Sequence, residues 1–154
     1  MSARIGAVER AAAGAATRQA IGRLTVATPG PGFTDITGEV ARFVAGSGVG
    51  DGLATLFCRH TSASLTVQEN ADPDVLADLA AALDRLAPRG HRYRHHAEGP
   101  DDMPAHIRTL LTHTSLAVPV LGGRLALGVW QGLYLVEHRD RPHRREVVVH
   151  VNGS

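Results

Sequence analysis

One segment in the second half of the chain concentrates imidazole and carboxylate groups. Residues 95–106 carry three histidines and three acidic side chains. Neutral imidazole and carboxylate are ligands that divalent cations favour, and the same groups transfer protons near neutral pH. The segment therefore predicts a metal site or an acid–base site.

The spacing inside this segment predicts which of its side chains turn inward. Two residues separate His95 from Glu98, and one helical turn separates Asp102 from His106. We expect Asp101 or Asp102 to cap a helix, and a capping Asp102 accepts backbone N–H groups and binds no ligand. His106 lies one turn inside that helix, where its ring can face a pocket.

A second polar group, residues 60–64, lies between two predicted strands. Its hydroxyls and backbone N–H groups can hold a phosphate or oxyanion, while His60 ligates a metal or transfers a proton. The alternative is a polar turn whose hydroxyls satisfy local backbone groups. Cys58 shares a strand face with His60, so a nucleophilic pair is another alternative, although an apolar strand favours a small core residue. The candidate phosphate ligands in this group are Thr61, Ser62 and Ser64.

Two further sets of candidate site residues lie at predicted strand ends. Glu69 lies on an otherwise apolar strand face, followed by Asn70, so its carboxylate needs either a salt-bridge partner or a functional role. Trp130 can stack on a flat ligand, with Gln131 and Glu137 at the rim of a pocket. The alternative for the aromatic residue is simple packing in the core.

The elements that position these residues follow an α+β pattern. Hydrophobic periodicity and turn signals predict strands followed by helices and then several consecutive strands, which favours a single domain with mainly antiparallel, sandwich-like sheets and two to three helices. The predicted strands are 19–28, 53–59, 64–70, 115–120, 124–135 and 144–151, and the predicted helices begin near Asp35, Asp72 and Asp102.

Composition limits the class of protein. The chain has 154 residues and a formal net charge of +1, which argues against nucleic-acid binding by a broad basic surface. No apolar run is long enough to span a membrane. The single cysteine excludes an internal disulfide, so a cytoplasmic location is expected. Residues 1–17 are predicted to form a loosely ordered extension rather than a secretory signal, and residues 18–154 the folded domain.

Several blocks together resemble the YjbQ-like family, also called the secondary thiamine-phosphate synthase family. The resemblance runs from about residue 19 to residue 153, and the blocks occur in the family's order. The blocks are His60–Thr66, Glu69–Pro73, Glu98–Ile107, Gly128–Gly132 and Glu137–Arg139.

This resemblance implies a small α+β protein that forms a homotrimer and has thiamine-phosphate synthase activity. That reaction joins a pyrimidine diphosphate to a thiazole phosphate and releases pyrophosphate. The alternative is a trimer that binds metal and phosphate without catalysis, or with a different reaction.

The family's pocket histidines correspond to His60, His95 and His106. We expect them to hold a divalent metal, Mg²⁺ or Zn²⁺, that neutralises a phosphorylated small-molecule substrate. His96 lies beside His95, so which of the two rings faces the site stays open. The acidic residues expected to assist are Glu69, Glu98 and Asp101.

Overall fold

In the computed structural model, which describes Ala7 and residues 11–154, strands and helices do not alternate regularly along the chain. This order confirms the predicted α+β class. The elements are β1 (Arg18–Thr28), β2 (Gly32–Asp35), α1 (Thr37–Gly46), β3 (Gly52–Cys58), β4 (Ala63–Glu69), α2 (Pro73–Leu86), α3 (Asp102–Leu111), β5 (Ser115–Leu121), β6 (Arg124–Leu125), β7 (Gln131–Glu137) and β8 (His143–Gly153).

The strands form two antiparallel sheets that enclose the core. One sheet has the order β1-β8-β3-β5-β6, and the other has the order β2-β7-β4. Alternation along β8 turns Val147, Val149 and Val151 inward, where they pack with Leu65 of β4 and Leu135 of β7. Burial of each such aliphatic side chain contributes about 1.5–3 kcal/mol.

Helices α1 and α2 begin where acidic residues supply acceptors. The Asp72 carboxylate caps α2 by accepting the backbone N–H of Asp74 at 2.9 Å, and Pro73 occupies the first position. At α1, Asp35 accepts the N–H of Thr37 at 2.9 Å from the end of β2, although Ile36 occupies the N-cap position. The predicted cap is therefore confirmed at α2 and displaced at α1.

Two predictions about the strands were wrong. Strand β2 was not predicted, because the Pro29–Gly32 run indicates a turn, yet Gly32–Asp35 pairs with β7. The predicted strand 124–135 is two strands in different sheets. The chain leaves the first sheet after Leu125 and crosses to the second, where β7 begins at Gln131.

The predicted extension 1–17 lies partly outside the described residues. Residues 11–16 are exposed and have no regular secondary structure, whereas the N–H of Thr17 donates to the carbonyl of Gly153 at 2.8 Å. Within the described part of the chain, no helix has both the length and the apolarity needed to cross a bilayer.

Candidate metal centre and adjoining cavity

The buried carboxylate of Asp102 lies at the centre of the candidate site. Asp101 occupies the N-cap position of α3 without a side-chain cap, and α3 begins at Asp102. The predicted capping role of Asp102 is therefore wrong. The residue is 2% exposed, with Oδ2 accepting from His95 Nε2 at 2.5 Å and Oδ1 accepting from Arg139 Nη1 at 2.5 Å.

His106 meets the same carboxylate from one turn further along α3. Its Nδ1 lies 3.0 Å from the carbonyl oxygen of Thr61, and its Nε2 lies 3.2 Å from Asp102 Oδ2. A carbonyl oxygen only accepts, so Nδ1 carries the proton. A neutral His106 therefore turns the Nε2 lone pair toward a carboxylate oxygen, which needs either a second proton or a cation between the two atoms.

This arrangement fits a transition-metal ligand set. One ligand atom from each of His95, Asp102 and His106 lies within 4.8 Å of the other two. Zinc bonds of about 2.0–2.2 Å require ligand atoms only about 3–4 Å apart. Metal-binding histidines commonly donate their other N–H to a backbone carbonyl, as His106 does to Thr61.

Arg139 fixes the acidic pair from the end of β7. Its Nε donates to Asp101 Oδ2 at 2.9 Å, and its Nη2 donates to the Glu98 carbonyl at 3.0 Å. Asp101 also accepts the backbone N–H of Asp140 at 2.9 Å. Burial raises the pKa of Asp101, but the hydrogen bonds from Asp140 and Arg139 outweigh it and hold that pKa below its ordinary value.

The loop before α3 distinguishes the two neighbouring histidines. The ring of His95 is bound to Asp102, whereas His96 is exposed, and among the described residues its one hydrogen bond is that of its carbonyl with the N–H of Gly99 at 3.4 Å. The side chain of Glu98 is exposed as well. The structure thus brings His95 and His106 together and leaves the neighbouring histidine outside.

A polar cavity of about 650 Å³ lies on the other side of Thr61. Thr61 links the two sites, because its carbonyl accepts from His106 and the residue itself lines the cavity. Four hydroxyl-bearing residues and two arginines contribute to the wall. The lining includes His60, Thr61, Ser62, Thr109, Thr114, Arg59 and Arg145.

His60 faces this cavity rather than the cluster around Asp102. Its Nε2 accepts the backbone N–H of Glu146 at 2.8 Å, and its Nδ1 lies 3.4 Å from Arg145 Nη1. Burial, followed by the positive charge of Arg145, lowers the pKa of His60. His60 is therefore held as a neutral ring, apart from His95 and His106.

A buried ion pair supports the floor of the cavity. Arg145 Nε and Nη2 donate to the two oxygens of Glu137 at 2.8 and 2.5 Å, and Thr28 donates to the same carboxylate at 2.6 Å. Burial raises the pKa of Glu137, but the bonds from Arg145 and Thr28 hold it below the usual value. Arg145 also donates to Ser62 Oγ at 3.0 Å, so the pair orients a predicted phosphate ligand.

Ser64 and Cys58 are enclosed rather than presented to a ligand. Ser64 is fully buried, and its Oγ lies 2.8 Å from His138 Nε2 and 2.6 Å from Thr112 Oγ1. Cys58 is 1% exposed, and burial raises the pKa of its thiol. These surroundings favour core roles for both residues.

Four other predicted site residues lie at the far end of the three-stranded sheet. Glu69 pairs with Gln131, whereas Ala63, next to the candidate site, pairs with Glu137. Asn70 donates to the carbonyl of Val129, and Gln131 Oε1 accepts the N–H of Gly128 at 2.8 Å. Trp130 is 62% exposed. Within one copy, these residues do not join the cluster around Asp102.

Three residues of the site were missed as candidates. Asp102 was predicted to be a helix cap, and neither Arg139 nor Arg145 was among the predicted site residues. The only sequence signal for Arg139 was its position in the Glu137–Arg139 block. Nothing in the short segment between Arg139 and Arg145 predicted that Arg145 is buried.

Comparison with known proteins places this chain within a family. The family model described as "UPF0047 protein YjbQ-like" matches residues 22–154. The chain belongs to the UPF0047 (YjbQ-like) family.

Individual members of the UPF0047 family match over most of their lengths. UPF0047 protein sll1880 of Synechocystis sp. is 57% identical over 132 residues, which cover 85% of this chain and 90% of the relative. UPF0047 protein YjbQ of Escherichia coli O157:H7 is 40% identical over 132 residues, covering 85% and 96% of the two chains.

Solved structures share the UPF0047 fold. A YjbQ/UPF0047 protein from Clostridium acetobutylicum is 41% identical with a TM-score of 0.78, covering 84% of this chain and 98% of that one. A hypothetical protein from Aeropyrum pernix is 31% identical with a TM-score of 0.81, covering 88% and 99%. The names of these relatives give no activity, so they do not support the thiamine-phosphate synthase activity that the resemblance implied.

Proposed function

We propose that this UPF0047 protein holds a divalent transition metal at His95, Asp102 and His106 and uses it to bind a phosphorylated small molecule. The observation that carries the proposal is the orientation of His106. Its Nδ1 proton is committed to the Thr61 carbonyl, so its Nε2 is the ring atom that faces Asp102 Oδ2, at 3.2 Å. A cation satisfies both groups at once.

The donor set favours Zn²⁺ over Mg²⁺. Two imidazoles and one carboxylate are typical of zinc and other late first-row metals, whereas Mg²⁺ prefers oxygen ligands and keeps several waters. Three protein ligands also leave a coordination position open, as in catalytic zinc sites. A bound metal supplies Lewis-acid charge that neutralises phosphate oxygens.

The chain's own residues orient the ligand groups. Arg139 donates to Asp102 Oδ1 and leaves Oδ2 to the two histidines. Thr109 Oγ1 donates to the Thr61 carbonyl at 3.2 Å, so that carbonyl holds the ring of His106 and the hydroxyl of Thr109 together. This frame holds Asp102 and His106 next to each other before a metal arrives, whereas His95 Nε2 must give up its proton and move away from Asp102 Oδ2 to share the metal.

The adjoining cavity supports phosphate as the ligand class. Thr61 and Thr114 bring hydroxyl groups to its wall, and Arg59 adds a half-exposed guanidinium. Hydroxyls and arginine are frequent partners of phosphate oxygens. Because Thr61 borders both places, a phosphate in the cavity lies next to the proposed metal.

Zinc titration by calorimetry tests the metal centre. We expect about one Zn²⁺ per chain, and we expect His106→Ala or Asp102→Asn to weaken binding by more than the roughly 10–100-fold that loss of an outer-shell partner costs. His96→Ala is the matched control, since His96 neighbours His95 but its ring has no partner in the described structure.

The variant His60→Ala distinguishes two possible sets of metal ligands. Both contain His95 and His106, and the third ligand is either Asp102 or His60. The geometry gives His60 no part in the metal centre, so its zinc affinity should equal that of the native protein. Native affinity in His106→Ala overturns the metal centre. A loss in His60→Ala as large as that in His106→Ala overturns the choice of Asp102 as the third ligand.

We further propose that the protein catalyses the transfer reaction of thiamine-phosphate synthases. In that reaction a carbon–oxygen bond to the diphosphate breaks, a bond to the thiazole nitrogen forms, and pyrophosphate leaves. Zinc- or magnesium-loaded protein supplied with both substrates should yield thiamine phosphate by chromatography, and His106→Ala should yield none. Absence of product from metal-loaded native protein removes this finer function and leaves the metal site standing.

A further inference from the structure

The tautomer of His60 follows from a single hydrogen bond. A neutral imidazole has one nitrogen that accepts and one that donates. The backbone N–H of Glu146 can only donate, and it lies 2.8 Å from His60 Nε2. Nε2 is therefore the accepting nitrogen, and Nδ1 carries the ring proton.

The Nδ1 proton of His60 faces a second donor. Arg145 Nη1 lies 3.4 Å from Nδ1, and a guanidinium nitrogen only donates. Within the described part of the chain, neither nitrogen has an acceptor. The Arg145 side chain is 5% exposed, so a donor without an acceptor is costly there. An acceptor placed between the two nitrogens removes that cost.

The carboxylates near His60 are already bound by other donors. Glu146 pairs with Arg59 at 2.6 Å. Glu137 accepts five hydrogen bonds, which come from Thr28 Oγ1, Arg145 Nε, Arg145 Nη2 and the backbone N–H groups of His138 and Arg139. Each carboxylate is thus matched with one arginine, and no described side chain supplies an acceptor to His60 Nδ1.

Ser62 contributes a third donor. Its Oγ accepts from Arg145 Nη2 at 3.0 Å, so its own hydroxyl proton must point elsewhere. Among the described residues that proton has no acceptor. Ser62, His60 and Arg145 all line the cavity of about 650 Å³. Three donors therefore face one cavity, and the described chain supplies an acceptor to none of them.

We propose that His60 Nδ1, Arg145 Nη1 and Ser62 Oγ, which we call the anion seat, bind the phosphate oxygens of a phosphate ester. One oxygen can lie about 2.9 Å from both nitrogens, because these are only 3.4 Å apart. His60 is then a phosphate ligand and not a metal ligand. The inference rests on the proposed function for the class of ligand, whereas the convergence of donors is independent of any metal.

A phosphate group suits the anion seat better than a carboxylate does. Phosphate presents oxygens in several directions, and the hydroxyl-bearing residues Thr61 and Thr114 line the same cavity and serve the oxygens that the seat leaves. A carboxylate has only two oxygens in one plane. The volume of about 650 Å³ is typical of small-molecule sites, so the organic part of an ester fits as well.

Titration of metal-free protein with inorganic phosphate tests the anion seat apart from the metal centre. The full chain is treated with a chelator, and phosphate binding is measured by calorimetry. His60→Gln removes the Nδ1 donor, whereas its amide oxygen can still accept the N–H of Glu146. We expect the affinity for phosphate to fall about 10-fold or more, as for loss of one hydrogen bond to a charged group. Equal affinity in the variant and the native protein overturns the seat.

Two other variants accompany this titration. His150→Gln is the matched control, because the ring of His150 bonds to Gln19 at 3.1 Å on the outer face of β8, and its phosphate affinity should equal that of the native protein. Ser62→Ala removes the third donor and keeps the histidine ring, so we expect at least about a 3-fold loss. Native affinity in Ser62→Ala removes Ser62 from the seat.

Nitrogen NMR of the histidine rings distinguishes a phosphate ligand from a purely structural residue. His60 should show the tautomer with the proton on Nδ1, and that proton should move downfield when phosphate is added. An Nε2–H tautomer, or a ring signal that saturating phosphate leaves unchanged, overturns the seat.

Two further probes test the class of ligand. Acetate should bind more weakly than inorganic phosphate, because it offers fewer oxygens to the donors. Glycerol 3-phosphate should bind at least as tightly as inorganic phosphate, because its glycerol group has room in the cavity. Tighter binding of acetate overturns the choice of phosphate, and weaker binding of glycerol 3-phosphate overturns the choice of an ester.

The same titrations distinguish failure of the seat from failure of the proposed function. Phosphate binding that depends on His60 in metal-free protein supports the seat, even where zinc titration shows no metal centre. Phosphate binding that requires zinc and is unchanged in His60→Gln overturns the seat and leaves the metal centre in place. No phosphate binding with or without zinc overturns the seat and the phosphate ligand class together.

Discussion

The two oxygens of the Asp102 carboxylate have different hydrogen-bond partners. Oδ1 is bound to Arg139, and Oδ2 faces both His95 and His106. Burial raises the pKa of Asp102, but the hydrogen bond from His95 and the charge of Arg139 hold that pKa below its ordinary value. The group therefore stays ionised in a buried position, as a metal ligand must.

His138 gives a pH dependence at the level of a single residue. Burial, followed by the charge of Arg108, lowers its pKa from 6.5 to about 4. Above pH 6.5 the ring is neutral in both the folded and unfolded states, so it has no effect there. Below pH 6.5 only the unfolded state binds the proton, and we expect the free energy of unfolding to fall by about 2 kcal/mol between pH 7 and pH 5.

Urea unfolding at a series of pH values measures this dependence. His138→Gln can still bond to Ser64 but does not titrate, so its stability should vary less between pH 7 and pH 5. The pKa of His60 is also lowered, so His60 contributes to the pH dependence in the same direction. The free energy of unfolding of His138→Gln should therefore still vary with pH, but with a smaller slope. His150→Gln, on the outer face of β8, is the control. A slope in His138→Gln equal to that of the native protein contradicts the assignment.

At the level of elements, the close approach of β3 and β8 depends on two glycines. Gly52 pairs with Gly153, and a Cβ built on Gly52 would lie 2.0 Å from the carbonyl oxygen of Asn152. The backbone of Asn152 cannot move away from such a contact without breaking the pairing of β3 with β8. We therefore expect Gly52→Ala to lower the free energy of unfolding by about 2–3 kcal/mol.

Gly46→Ala is the matched control for this substitution. Gly46 is the last residue of α1, and a Cβ there meets no atom within 4 Å. Alanine should leave stability unchanged or raise it by about 0.5–1 kcal/mol. If Gly52→Ala unfolds at the same urea concentration as Gly46→Ala, the close approach of the strands is not a constraint.

The elements were predictable where a local pattern sets them. Alternating valines in β8 and the Asp72–Pro73 start of α2 depend on neighbours in sequence, and both predictions were confirmed. Strand β2 was missed because its glycine and proline neighbours indicate a turn, whereas pairing with β7 decides the structure. The break after Leu125 was missed because moving to another sheet leaves no local signal.

At the level of the whole molecule, the predicted site residues are divided between two ends of the three-stranded sheet. Glu69 pairs with Gln131 at one end, and Ala63 pairs with Glu137 at the end beside the metal centre. The homotrimer implied by the family resemblance stays a prediction.

The sequence by itself determined the family, the α+β class and the capped start of α2, and it left open whether His95 or His96 joins His106. These features depend on residue types at short, fixed spacings. Only the tertiary structure brought Asp102, Arg139 and Thr61 to His95 and His106, and only it sent Trp130 and Glu69 to the opposite end. The reason is physical: strand register and sheet order decide which distant residues meet, and neither is encoded in local spacing.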